Sequence, residues 1–173
     1  MEFRFVPPDL RRLDTTSAEL LVCTVWRDER PMRGLAGLLD WRLGGRLSAL
    51  ARDGFLVGEV GEVLFIPGRP CLPFEKVLVL GLGARSAFGE AAFRQVVQKL
   101  LRTLEGLRVR RAVVELPGRS GAVIDAERAA HLALECIGDS PAHDAWWLVE
   151  DADGQRQVAQ RAEGDRRRAA PPA

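Results

Sequence analysis

Residues 77–93 read VLVLGLGARSAFGEAAF. An unbroken apolar run enters Gly81-Leu82-Gly83, and a segment with helical patterning follows. Such a run, without polar alternation, belongs to a strand covered on both faces. Strand, Gly-x-Gly turn and helix, in that order, is also the layout of a phosphate-binding loop, where free N–H groups and the helix dipole attract an anion. Two readings follow. In one, Gly81, Gly83, Ala84, Arg85 and Ser86 form an anion-binding loop. In the other, the glycines only make a tight strand–helix turn. The dinucleotide fingerprint requires a third glycine where Ser86 stands, and the G-K-[ST] of a P-loop is missing. The tight turn is therefore favoured, and the anion loop is held as the alternative.

Working outward, the chain alternates strands and helices. Glu2–Val6 reads as a short strand stopped by Pro7-Pro8, and Ala18–Trp26 as a strand apolar on both faces. Gly34–Leu39 is a short helix candidate, and Leu43, Leu47 and Leu50 share a face of a second, which starts after Gly44-Gly45. Glu62–Ile66 and Lys76–Leu80 are strands. Phe88–Leu104 is a helix with Phe93, Val96, Val97, Leu100, Leu101 and Leu104 on one face and Gly106 just beyond its end. Arg111–Leu116 is a strand closed by Pro117-Gly118. Asp125–Ile137 is an amphipathic helix burying Ile124, Ala129, Leu132 and Cys136, and Ala145–Glu150 is the last strand. The expected fold is a three-layer α/β/α sandwich with a mixed, mostly parallel sheet, whose antiparallel edge would come from the two opening strands. Residues 1–150 form this domain. Residues 151–173 are polar and arginine-rich, end in Pro-Pro-Ala, and read as a disordered tail.

Composition sets further limits. With 173 residues, 47% apolar and 28% charged, the chain fits one soluble globular domain. A net charge of +1 gives no global pull toward nucleic acid or an anionic membrane. Cys23, Cys71 and Cys136 are far apart and form no C-x-x-C pair, so reduced thiols in a cytoplasm are expected. MEFRFVPPDLRR lacks the apolar core of a signal peptide, and no apolar run reaches the roughly 20 residues that span a bilayer.

Three ordered pieces carry a family resemblance. LDWRLGGRLSALARDGFLVGEVGEVLFIPG (39–68), LPFEKVLVLGLG (72–83) and FRQVVQKLLRTLEGLRVRRAVVEL (93–116) resemble successive helix, turn and strand segments of the N-terminal domain of the leucyl (cytosol) aminopeptidase family. The likeness implies a macrodomain-like α/β/α unit outside the catalytic part. In that family the chemistry sits in a C-terminal domain with two metal ions and an N-T-D-A-E-G-R-L motif, which this chain does not contain. A two-metal site needs several carboxylates converging on ions about 3.5–4 Å apart. No catalytic residue, metal ligand or cofactor is therefore carried over. What the resemblance implies is a non-catalytic, stand-alone assembly or regulatory module, whose partner is a second copy or another protein, since aminopeptidases of this family form hexamers. The alternative is a macrodomain-like binder of ADP-ribose or a related nucleotide, with Gly81–Ser86 at its phosphates. A weaker alternative is contact with DNA, as some bacterial family members make.

The remaining candidates read more simply as structure. His131 lies four residues from both Glu127 and Glu135, a spacing that suits ion pairing and lacks the second histidine of a zinc helix. His143-Asp144 reads as a turn. GRSGA (118–122) departs from G-x-S-x-G and precedes no immediate helix. Arg102, Arg108, Arg110 and Arg111, with Arg161 and Arg166–Arg168, are expected to be solvated rather than bound to phosphates. Trp146 and Trp147, adjacent in a strand, point to opposite faces; one is assigned to the core and the other to an interface.

Overall fold

The structure, a computed structural model, describes residues 2–138 and 142–169. Among the described residues, six strands form one sheet: β1 (Glu2–Val6), β2 (Leu20–Val25), β3 (Val63–Pro67), β4 (Lys76–Gly81), β5 (Arg111–Val114) and β6 (Ala145–Val149), in the order β1-β6-β5-β2-β4-β3. Burial explains the order. Every residue of β2 is buried, as is all of β4 except Lys76, so these unbroken apolar runs take interior places. The partly exposed β1 and β3 take the two edges.

All neighbouring strands run parallel except β3 against β4. The expectation of an antiparallel edge from the opening strands is corrected here: β1 runs parallel to β6, and β2 lies inside the sheet. The antiparallel strand is β3, because residues 68–75 are too few for a parallel crossover, which takes about a dozen.

Helices cover both faces. On one side lie α1 (Leu10–Asp14), α2 (Gly34–Arg42) and α3 (Arg46–Arg52); on the other, α4 (Glu90–Gly106), α5 (Ala126–Ile137) and α6 (Ala152–Ala169). Strand β2 shows the division: Leu20 and Val22 pack toward α4 and α5, while Leu21, Cys23 and Val25 pack toward α2. The six apolar residues expected on one face of α4 are all buried, each worth about 1.5–3 kcal/mol. The turn after α4 differs in detail. Gly106 is its last helical residue, and Arg108 takes the positive φ of 57°. Helix α5 is capped as its sequence suggests, Asp125 accepting from the Arg128 N–H at 2.7 Å, and Gly138 follows its end. Cys136 is only half-buried on it.

The reading of 151–173 as an unstructured tail meets a different arrangement in Ala152–Ala169, which form α6. Asp151 accepts from the Gly154 N–H at 2.8 Å, Gly154 packs beside Ala126, and Val158 enters the core. Among the described side chains of this stretch, only Gly154 and Val158, one turn apart, are buried against the domain, so the charged composition masked the contact. Residues 170–173, and the side chains of Arg161 and Arg166–Arg168, lie outside the described residues.

Candidate ligand cleft at the strand ends

Strands β1, β2, β5 and β6 deliver their C-terminal ends to the same side of the sheet, where α/β folds place ligands. A cleft of about 290 Å³ opens there, and Glu29, Arg33, Arg85, Glu115, Arg119, Glu150 and Asp151 contribute its charge. Both AVVE at the end of β5 and WWLVE at the end of β6 close on a glutamate. Parallel neighbours with this ending set two carboxylates at one edge.

Like Glu150, Glu115 is buried, at 4% exposure. Its Oε2 accepts from the Thr24 N–H at 2.8 Å and the Thr24 hydroxyl at 2.7 Å. The Leu35 N–H also donates to this carboxyl. Helix α2 begins at Gly34, and its N-cap residue Arg33 makes no side-chain cap. Glu115 therefore does that work from across the fold. Burial pushes its carboxyl up to about 7, against the opposing pull of the Thr24 and Leu35 hydrogen bonds, and nearby Glu150 adds to the rise.

Glu150 grips Arg119 in a two-pronged pair, Nε to Oε1 at 2.6 Å and Nη2 to Oε2 at 2.8 Å. Arg119 also donates to the Ile124 carbonyl at 2.7 Å, and its bond to Glu150 raises the guanidinium further above its ordinary range. Ser120 crosses the mouth of α2 closely: a Cβ at Gly34 would lie 2.5 Å from its Oγ. Its carbonyl accepts from Trp26 Nε1 at 3.2 Å. No histidine serves Ser120. His131 pairs with Glu135 at 3.0 Å on α5, and His143 lies buried at the start of β6, the opposite end of the sheet, beside Trp146. Among the described residues, no three His, Cys, Asp or Glu side chains converge as a metal site.

The Gly-x-Gly loop is held by the chain itself. A Cβ at Gly81 would sit 2.0 Å from the Glu59 carbonyl, and one at Gly83, where φ is +79°, 2.6 Å from a Val60 methyl. The turn through Gly58–Gly61 passes so close that only glycine fits at both positions. The Gly83 N–H donates to Gly58 at 2.7 Å, and the Arg85 N–H to both oxygens of Asp28 at 3.1 and 3.2 Å. The Arg85 guanidinium pairs with Glu29 at 2.5 Å and lies over Trp26. Ala84 is half-buried, and Ser86 is exposed in a short 3₁₀ turn, Arg85–Ala87. Helix α4 starts only at Glu90, seven residues beyond Gly83. Of the five loop residues only Arg85 lines the cleft. An anion placed at this loop would compete with Asp28 and Glu29.

The other candidates separate cleanly. Trp146 has no exposed surface, while Trp147 is half-buried on the opposite face with the Arg4 guanidinium 5.0 Å from its ring centre. Of the pair, only Trp147 has surface to offer an interface. Arg110 pairs with Asp144 at 2.6 Å, and the Arg110 and Arg111 N–H groups both donate to Glu19. That basic junction is in part neutralised.

Sequence reasoning missed Thr24, Glu115, Arg119 and Glu150. The available signal was the glutamate ending shared by two apolar strands. It reads as an ordinary exposed strand end until the strands are known to be parallel neighbours.

Comparison with known proteins agrees with this architecture. The profile of the cytosol aminopeptidase family, N-terminal domain, matches residues 22–140. The cytosol aminopeptidase of Pseudomonas aeruginosa is 31% identical over 128 residues, covering 74% of this chain and 26% of that protein. A probable cytosol aminopeptidase of Pseudomonas fluorescens is 39% identical over 69 residues, 40% of this chain and 14% of that protein. The chain thus spans about a quarter or less of the length of these curated relatives. Among solved structures, an Oceanobacillus iheyensis macrodomain mutant with ADPR superposes with a TM-score of 0.72 at 12% identity, over 95% of this chain and 92% of that one. The macrodomain of Mycobacterium tuberculosis DarG gives 0.67 at 17%, over 87% and 99%. Tomato leucine aminopeptidase gives 0.62 at 14%, over 92% of this chain and 35% of that one. The expected macrodomain-like α/β fold is the one observed, and among the described residues no helix is long and apolar enough to cross a membrane. Through the N-terminal domain matched at residues 22–140, the chain belongs to the cytosol aminopeptidase family.

Proposed function

We propose that this chain is a non-catalytic module of the aminopeptidase family, acting by assembly with itself or by regulating another protein in the cytoplasm. The observation that carries this reading is the inward pairing of the cleft. Glu115 is held by Thr24 and Leu35, Arg119 by Glu150, and Arg85 by Asp28 and Glu29. A polyanionic ligand that recruits Arg119 would have to break its buried pair with Glu150 and face the carboxylate left behind, at a cost of about 3–5 kcal/mol. The family match, confined to the N-terminal domain, supports the same reading. The test is hydrolysis of a leucyl amide with added Mn²⁺ or Zn²⁺, joined to co-elution with a cytosol aminopeptidase. No turnover is expected, and turnover would refute the non-catalytic role.

One observation favours the nucleotide reading: Arg33 lines the cleft beside the start of α2 and has no ion pair among the described residues. Calorimetry with ADP-ribose decides it, and no heat at high micromolar ligand removes it. DNA contact is the weakest reading, because Arg110 and Arg111 are already engaged by Asp144 and Glu19. It requires binding that falls steeply with salt.

A further inference from the structure

We propose that the β3 edge is where two copies of this chain pair, strand against strand and antiparallel, about a two-fold axis at Leu64. The inference rests on the assembly reading and names its surface. β3 is the last strand of the sheet. The Glu62 carbonyl accepts from Gly81 and the Gly68 N–H donates to Glu75, so with the ladder register, Glu62, Leu64, Ile66 and Gly68 turn their backbone groups toward β4. The alternation of an antiparallel pair then turns those of Val63, Phe65 and Pro67 toward the open edge.

Pairing about Leu64 sets Val63 of one copy opposite Phe65 of the other. Each N–H and carbonyl of these residues then meets a partner, and Pro67, which has no N–H, falls outside the paired stretch. The side chains agree. Val63 through Pro67 carries no charge, so no like charges oppose each other across the axis. Phe65 and Leu107, 41% and 40% exposed, flank an apolar groove of about 410 Å³ beside the strand. The ends are complementary as well. Glu59, offset in part by its pair with Arg27, and Glu62, which accepts from the Val57, Gly58 and Glu59 N–H groups, precede the strand, while Arg69 and Lys76, offset in part by Glu75, lie at its other end. Antiparallel pairing lays the acidic end of one copy along the basic end of the other. Edge strands are ordinarily shielded by inward charges, lysines or prolines. Here the one such device, Pro67, leaves the Val63 and Phe65 groups unshielded.

A five-residue edge buries less than the roughly 1,600 Å² of a standard interface, so a weak dimer is expected, with Kd of about 10–100 μM. Sedimentation equilibrium measures it, and Phe65→Lys should raise Kd at least about tenfold. Backbone hydrogen exchange gives an independent readout on the unmodified protein, should that variant misfold. The Val63 and Phe65 amides should gain protection as concentration rises, while Leu64 and Ile66 are protected throughout. A chain that stays monomeric at about 1 mM, well above that range, overturns the inference, and assembly then requires a different protein. A dimer that leaves these two amides unprotected, and that is dissociated by Trp41→Ser at the exposed tryptophan of α2, overturns the β3 surface while sparing self-assembly. Leucyl-amide turnover bears on the non-catalytic reading alone.

Discussion

Glu115→Gln tests whether a buried carboxyl at the cleft floor ties stability to pH. The native carboxyl is raised from 4.5 to about 7. At about 1.4 kcal/mol per pH unit that rise is worth about 3 kcal/mol, an upper figure for a fully buried group. The sign follows from proton counting. Between these two values the unfolded chain has released the proton and the folded chain still holds it. Stability therefore falls as pH rises through this window, and the penalty is fully present above pH 7. Glutamine keeps the shape, retains an oxygen for the Thr24 donors and never ionises. The difference in unfolding free energy, variant minus wild type, should grow by about 3 kcal/mol between pH 4.5 and 7.5. In a chain of this size, that is a shift in melting temperature of roughly 6–12 °C. Urea denaturation of both proteins across that range measures it, and taking the difference cancels the other titrating groups. A difference that stays flat, or that shrinks as pH rises, would refute the assignment of burial as the dominant influence on Glu115.

Other outcomes follow from the same geometry. Gly81→Ala should cost about 2–4 kcal/mol in urea melts, because its Cβ would sit on the Glu59 carbonyl, whereas Gly89→Ala, which faces open space, should stay within about 0.5 kcal/mol. Comparable losses at both positions would mean that the loop packing is not what the first glycine serves. Gly154→Ala would bring a Cβ within 2.3 Å of Glu150 Oε2. Despite the better helix propensity of alanine, it should destabilise by about 1–3 kcal/mol and speed proteolysis within α6. Leu100→Ala, in the fully buried stripe of α4, should cost about 2–5 kcal/mol with an unchanged m-value.

Local patterning was enough to identify most elements of residues 1–150, though neither α1 nor α6. The unbroken KVLVL run identifies an interior strand, the six-residue apolar stripe identifies α4, and Asp125 and Gly138 mark the ends of α5. These features are legible because local periodicity records which faces leave water, and because a helix end must satisfy its own N–H and carbonyl groups. The Gly-x-Gly loop was legible as a turn, but the reason for its glycines was not, since it lies in the Gly58–Gly61 turn brought against it by the fold. The strand order, the reversed direction of β3, the docking of α6 through Gly154 and Val158, and the cleft emerge only from the folded chain. Thr24 and Glu115 are 91 positions apart. They share a hydrogen bond because β2 and β5 are parallel neighbours ending at one edge, and no local pattern in either strand specifies that adjacency. The charge on Glu115 depends on the same packing, because how much water reaches a carboxyl is set by the whole fold around it.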